Sequence, residues 1–275
     1  VPLPQTRSTL RTRDGLALAA WHFPSPSPRG RIVLVHGYAE HVGRYPHVIR
    51  ALHEAGYDCH ALDLRGHGHS EGVRGHVLRF QSYLDDLDLF LEELPRDGLP
   101  RFLVSHSLGG LLALRYVLER PDAFAALAAS SPYLHLATDV NFLREALATA
   151  VSRLAPTLLT KSPIAAKALS HDPAMVQAYI DDPLVFKTFN ARWFFESRAA
   201  QEAVLARAPE IRLPVLLLIG SADPIAAPER GRQVFQRLGS LDKTLKVYEG
   251  FLHEVFNEIQ RERVIGDLVE WLSVR

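Results

Sequence analysis

The chain predicts an α/β fold: a mostly parallel, doubly wound sheet with helices on both faces and one inserted helical cap. Three observations carry the prediction. Short apolar runs alternate with helix-period segments over residues 31–129 and again over residues 215–273. Between residues 133 and 208 the alternation stops and the pattern is mostly helical. His36, Asp63, Ser107, Ser131 and Asp223 fall at or just after predicted strand ends, the rim of an open α/β sheet where chemistry gathers. The expected division is a core of residues 1–132 and 209–275 and a cap, or lid, of residues 133–208.

Each element has its own signal. Residues 6–12 and 16–23 flank Asp14-Gly15, a hairpin turn between alternating runs. Residues 31–35 are β-branched and suit a central parallel strand. Residues 44–55 read as a helix closed by Gly56, and 57–62 as the next strand. The run from Leu64 to Gly72 is too rich in glycine for regular structure. Apolar positions in 80–94 recur at helical spacing. A strand over 102–104 leads into a helix from Leu108, and a further strand covers 124–129. After the insertion, 215–219 and 243–249 are strands, and 228–238 and 258–273 are helices.

Apolar residues make up 47% of the 275 and charged residues 23%, as in an ordinary globular protein. The formal net charge is zero, which argues against a nucleic-acid partner. Cys59 is the single cysteine and lies in a predicted buried strand, so no intrachain disulfide is expected. No apolar run is long enough to span a membrane. No signal-peptide pattern is visible, although the first residue, Val1, leaves room for a removed leader. The expected location is cytoplasmic, peripheral at a membrane. His67, His69 and His76 match no zinc spacing, and no metal is expected.

Ser105-His106-Ser107-Leu108-Gly109 stands at a strand-to-helix turn. This is the nucleophile-elbow pattern G-x-S-x-G with serine in place of the first glycine. Taken alone, Ser107 reads equally well as a helix N-cap. A nucleophilic serine needs a base, and the base needs an acid to orient it. In this topology the chain order is serine, acid, histidine. Asp223 follows the 215–219 strand and His253 follows the 243–249 strand, both where the fold requires them. Their other readings are a turn residue and a satisfied loop histidine. The oxyanion formed on attack needs preorganised donors. The backbone N–H groups of Leu108 and Tyr38 are the candidates, with Gly37 allowing close approach.

Several strings resemble one branch of the α/β-hydrolase superfamily, the monoacylglycerol lipases and lysophospholipases. His36-Gly37-Tyr38-Ala39-Glu40-His41-Val42-Gly43-Arg44-Tyr45 is similar to its H-G-x-x-E-H-x-x-R-Y loop. The run from Asp63 to Gly72 is similar to its D-x-R-G-H-G-x-S-x-G loop. His171-Asp172-Pro173, Asp181-Asp182-Pro183-Leu184-Val185 and His253-Glu254 with Asn257-Glu258 resemble its cap and C-terminal segments. The likeness runs from about residue 10 to the end, and Ser105 is the departure. It implies hydrolysis of esters bearing one long acyl chain, without a cofactor, by Ser107, Asp223 and His253.

The insertion agrees with such a substrate. Phe142, Leu143 and Leu147 begin an apolar face, and Phe186 and Trp193 belong to an aromatic set. These five are the candidate acyl-chain contacts, although much of both faces is expected to pack on the core. A lipid ester is the expected partner, with transient contact between cap and membrane or micelle. The rival activities are a phospholipase on two-chain lipids, a short-chain esterase and a thioesterase. A rival of another class is a catalytically silent relative that binds a lipid or small ligand. Epoxide hydrolases and haloalkane dehalogenases need aspartate where Ser107 stands. Acyl length, head group and oligomeric state are not encoded in any motif found.

Overall fold

A computed structural model describes residues 3–138, 142–162 and 164–275, and the backbone alone of residues 142–144. The large sheet has eight strands in the order β1-β2-β4-β3-β5-β6-β9-β10. They are β1 (Thr6–Arg11), β2 (Ala17–Phe23), β3 (Arg31–Val35), β4 (Asp58–Leu62), β5 (Arg101–His106), β6 (Ala126–Ser130), β9 (Val215–Gly220) and β10 (Lys243–Tyr248). β1 and β2 form the expected antiparallel hairpin, and β2 is antiparallel to β4. From β4 to β10 every pairing is parallel.

Period-two alternation sends side chains to two cores. Val33, Val35, Leu103, Leu127, Val215 and Leu217 face one, with α2 (Gln81–Glu92), α3 (Leu108–Glu119) and α7 (Pro228–Arg237). Ile32, Leu34, Phe102, Val104, Leu216 and Leu218 face the other, with α1 (Pro46–Glu54) and α8 (Arg261–Ser273). Both faces are covered, so the central strands read as continuous apolar runs. Cys59 is free and buried among the second set.

Among the described residues, the chain between β6 and β9 adds no strand to this sheet. It holds α4 (Phe142–Leu154), a two-stranded pair of β7 (Leu159–Lys161) and β8 (Thr188–Asn190), α5 (Pro173–Asp181) and α6 (Ala191–Arg207). The helical reading of 133–208 missed β7 and β8, which are three residues each, too short to show a period. α6 starts under an Asn190 side-chain cap to the Trp193 N–H (2.9 Å) and packs on α3, burying Ala200 and Val204 in the first core.

Strand order reverses between β3 and β5, because the chain passes from β3 to β4 on one side and begins again with β5 on the other. This switch point opens a crevice at the carboxyl ends of β3 and β5. Gly37 and Tyr38 follow β3 there, and Ser107 follows β5.

Candidate active site

Ser107 has φ +50° and ψ −114°, in the region where a Cβ is unfavourable. Strain of this kind costs about 1–3 kcal/mol and needs surrounding structure to hold it. Three backbone hydrogen bonds do so. The Ser107 N–H donates to Ser130 (3.0 Å), and its carbonyl accepts from Leu111 (3.1 Å) and Tyr133 (2.9 Å). Gly109 lets α3 press against β3, since a Cβ there would lie 2.3 Å from the Val35 carbonyl. Ser105 needs no such concession: it lies in β5, is buried, and its hydroxyl donates to the Ala128 carbonyl (3.2 Å).

Ser107 Oγ donates to His253 Nε2 at 2.8 Å, and His253 Nδ1 donates to Asp223 Oδ2 at 2.7 Å. All three side chains are buried. Asp223 Oδ1 accepts from the N–H groups of Ile225 (2.8 Å) and Ala226 (3.0 Å), which fixes the carboxylate plane. Burial alone would push the His253 pKa down. The Asp223 charge and hydrogen bond outweigh it, with help from Glu254 and Glu40, and hold the pKa above its ordinary value. His106 is the other imidazole here, with ring centroids 4.9 Å apart. Burial and the neighbouring His253 push its pKa down to about 3, so it stays neutral.

The loop after β3 comes close to the elbow. A Cβ on Gly37 would lie 3.1 Å from Ser107 Cβ and 2.7 Å from Glu40 Oε1. Tyr38 follows, its ring stacked on Trp193 at 3.8 Å between centroids and 29° between planes. Leu108 opens α3, where the helix dipole also favours negative charge. Tyr38 lines the same cavity as Ser107, and Leu108 is the next residue in the chain.

A buried ionic network joins this loop to the histidine. Glu40 accepts from the Gly37 N–H (2.5 Å), the Tyr45 hydroxyl (2.5 Å) and Arg44 Nη1 (3.2 Å). Arg44 also makes a two-pronged pair with Glu254, at 2.5 and 2.9 Å. Asn257 Nδ2 donates to Glu254 as well (2.8 Å). Burial opposes the Glu254 charge, and Arg44 overcomes it, holding that carboxyl low. Glu40, Arg44 and Glu254 stood in the recognised strings, but no local rule assigned them a partner.

The remaining rim residues brace the loops. His36 is fully buried; its Nδ1 donates to the Gly37 carbonyl (2.7 Å) and its Nε2 accepts from the Leu64 N–H (3.0 Å). Asp63 accepts from the N–H groups of Val42 (2.9 Å) and His69 (3.0 Å). Ser131 adopts φ +39° and donates its N–H to Leu218 (2.7 Å). Side-chain pairs that fasten the insertion to the core include His41 with Asp182 (2.8 Å), His171 with Glu258 (2.9 Å), Arg261 with Asp172 (2.8 Å) and Arg207 with Glu119 (2.7 Å).

A cavity of about 420 Å3 opens on Ser107 and His253. Tyr133, Leu136, Leu169, Tyr179, Phe189, Trp193, Phe194 and Ile225 form most of its apolar lining. Of the five candidate contacts, Trp193 lines it. Phe186 is not among the lining residues; its ring packs edge-on against Tyr38 (5.2 Å) and on His67 (5.0 Å). Leu147 is 67% exposed and is not among the lining residues. The side chains of Phe142 and Leu143 lie outside the described residues. The reading missed Leu136, Leu169, Tyr179 and Ile225, which come from separate elements and share no period.

This strand order, with serine after β5, acid after β9 and histidine after β10, defines a serine ester hydrolase of the α/β-hydrolase fold. The family model described as Serine aminopeptidase, S33 matches residues 26–260, and the chain belongs to that family. A monoacylglycerol lipase of Mycolicibacterium smegmatis is 34% identical over 252 residues, covering 90% of each chain. An uncharacterized abhydrolase domain-containing protein of Dictyostelium discoideum is 33% identical over 268 residues, which are 96% of this chain and 28% of that longer protein. The crystal structure of Paleococcus ferrophilus monoacylglycerol lipase superposes with a TM-score of 0.85 at 36% identity, covering 99% of both chains.

Proposed function

We propose that the chain hydrolyses single-acyl-chain lipid esters, as a monoacylglycerol lipase or lysophospholipase, with residues 133–208 as its cap. The carrying observation is the apolar cavity that opens on the Ser107–His253–Asp223 hydrogen-bond chain. Its volume falls in the usual range for small-ligand sites, about 300–1,000 Å3. Burying an acyl chain there is worth about 0.8 kcal/mol per methylene, which favours long chains over short ones.

In this reading Ser107 Oγ attacks the ester carbonyl while its proton passes to His253 Nε2. The Tyr38 and Leu108 N–H groups receive the oxyanion. As it collapses, the bond to the alcohol oxygen breaks, and His253 gives that oxygen the proton. Water then attacks the acyl-enzyme with His253 as base, and the fatty acid leaves as Ser107 recovers its proton. Asp223 stabilises the imidazolium at both stages.

The cap presents Leu147, Leu154 and Leu158 at 67%, 86% and 49% exposure. These are the side chains we assign to transient contact with a membrane or micelle. Among the described residues, no helix is long and apolar enough to cross a membrane.

The test is turnover on monoacylglycerols, lysophospholipids, two-chain phospholipids and p-nitrophenyl esters of graded length. The expected maximum lies with long single-chain esters. A maximum on acetyl or butyryl esters would overturn the lipid reading, and one on two-chain phospholipids would replace it. Failure of a fluorophosphonate probe to label Ser107 would favour the silent ligand-binding relative.

A further inference from the structure

At the end of β4 away from Ser107, three side chains outside the active site converge. The antiparallel register of β2 and β4 sets His22 opposite His60. Their rings lie parallel, 4.3 Å apart and 4° between planes. His22 Nε2 is 2.9 Å from Asp58 Oδ1, and His60 Nε2 is 2.9 Å from Asp58 Oδ2. One donor atom from each of the three lies within 4.8 Å of the others.

We propose that His22, Asp58 and His60 form a binding site for a borderline divalent cation of the zinc type, clipping the β1–β2 hairpin to the parallel sheet. Two imidazoles and one carboxylate are the donor set that such ions prefer over magnesium or calcium. Each histidine now bonds Asp58 through Nε2. To bind an ion, both must carry their proton on Nδ1, a tautomer change that leaves the neutral ring intact. Parallel rings must also tilt for both nitrogens to aim at one ion. His22, with its side chain 38% exposed, has room to tilt and gives the ion its route in.

The surroundings hold the carboxylate and tolerate the charge. Ser25 N–H donates to Asp58 Oδ1 (3.1 Å). Arg31 Nε lies 3.6 Å from Asp58 Oδ2 and has no hydrogen-bond acceptor among the described residues. A water on the ion would supply one. The Arg31 positive charge is countered by a two-pronged pair with Asp97, so it does not stand uncompensated beside the site. The sequence reading expected no metal because it looked for local spacing. Here the sheet register brings together residues 22 and 60, which no spacing rule connects.

The test uses the full chain without a histidine tag, stripped with a chelator and titrated with Zn2+ by calorimetry. Co2+ absorption reports the ligand set. The expected result is one equivalent bound, a raised melting temperature on loading, and at least about a tenfold loss of affinity in His22→Gln and in Asp58→Asn. His22→Gln changes a part-exposed position, so it keeps the test open if Asp58→Asn does not fold. Absence of saturable binding, or equal binding by wild type and His22→Gln, would overturn the proposal.

Discussion

Arg44 spans the site and grips Glu254, the residue next to His253, with both terminal nitrogens. Through Glu40 the same guanidinium reaches the Gly37 N–H, so one buried cation sets the spacing between the proposed oxyanion loop and the base. Arg44→Ala leaves two buried carboxylates without their partner and is expected to cost about 3–5 kcal/mol in a denaturant melt. Arg44→Lys keeps the charge and loses the fork. It is expected to fold and to lower kcat by about ten- to a hundredfold with KM little changed. A purely structural role would leave kcat of the folded Lys variant alone.

Ser107→Ala is expected to fold, to escape fluorophosphonate labelling and to lose essentially all turnover. Ser107→Gly should be equally inactive but about 1 kcal/mol more stable than the alanine variant, because glycine accepts φ +50° without strain. Comparing the two melting curves measures the strain stored at the elbow; equal stability would show that none is stored.

His253 must be neutral to take the Ser107 proton, so the rate falls as pH drops through its raised pKa. In Asp223→Asn the charge that raises that pKa is gone, and burial then lowers it. The acid limb of kcat/KM is expected to move to lower pH while the plateau falls by about 10^3–10^4. An acid limb that stays in place would separate Asp223 from the titration.

Ser105→Gly is expected to leave kcat unchanged and to reduce stability by about 1–2 kcal/mol. The loss combines the hydroxyl bond to the Ala128 carbonyl with the greater backbone freedom of glycine in a strand. A faster variant would show instead that serine burdens the elbow.

Lys161 lies in the cavity lining and is exposed. Lys161→Gln is expected to lower kcat/KM for an anionic lysophospholipid about two- to fivefold, the worth of one exposed ion pair, and to spare a monoacylglycerol. Equal effects on both substrates would remove Lys161 from head-group selection.

The meeting of Ser107, Asp223 and His253 was legible because topology orders strand ends, and strand ends are visible as apolar runs that stop at polar residues. Helix and strand positions along the core were legible for the same reason, though the 124–129 strand begins two residues later, at Ala126. The Arg44–Glu254 pair was not legible, since its members stand 210 residues apart. Nor was the cavity lining. Phe186 and Phe189 look alike in the chain, yet Phe186 packs on Tyr38 and His67 while Phe189 lines the cavity. Apolar character says that a side chain leaves water, not which neighbour it finds.

The stack of Tyr38 on Trp193 ties two jobs to one residue. In the proposed mechanism Tyr38 would offer its backbone N–H to the reacting carbonyl, while its ring packs on Trp193 of α6. If the cap shifts, the ring loses its seat and the donor drifts with it. Under that mechanism the stack would act as an interlock, with full catalytic power only when the roof is in place. Hydrolysis of stray water-soluble esters would be curbed without any dedicated inhibitor.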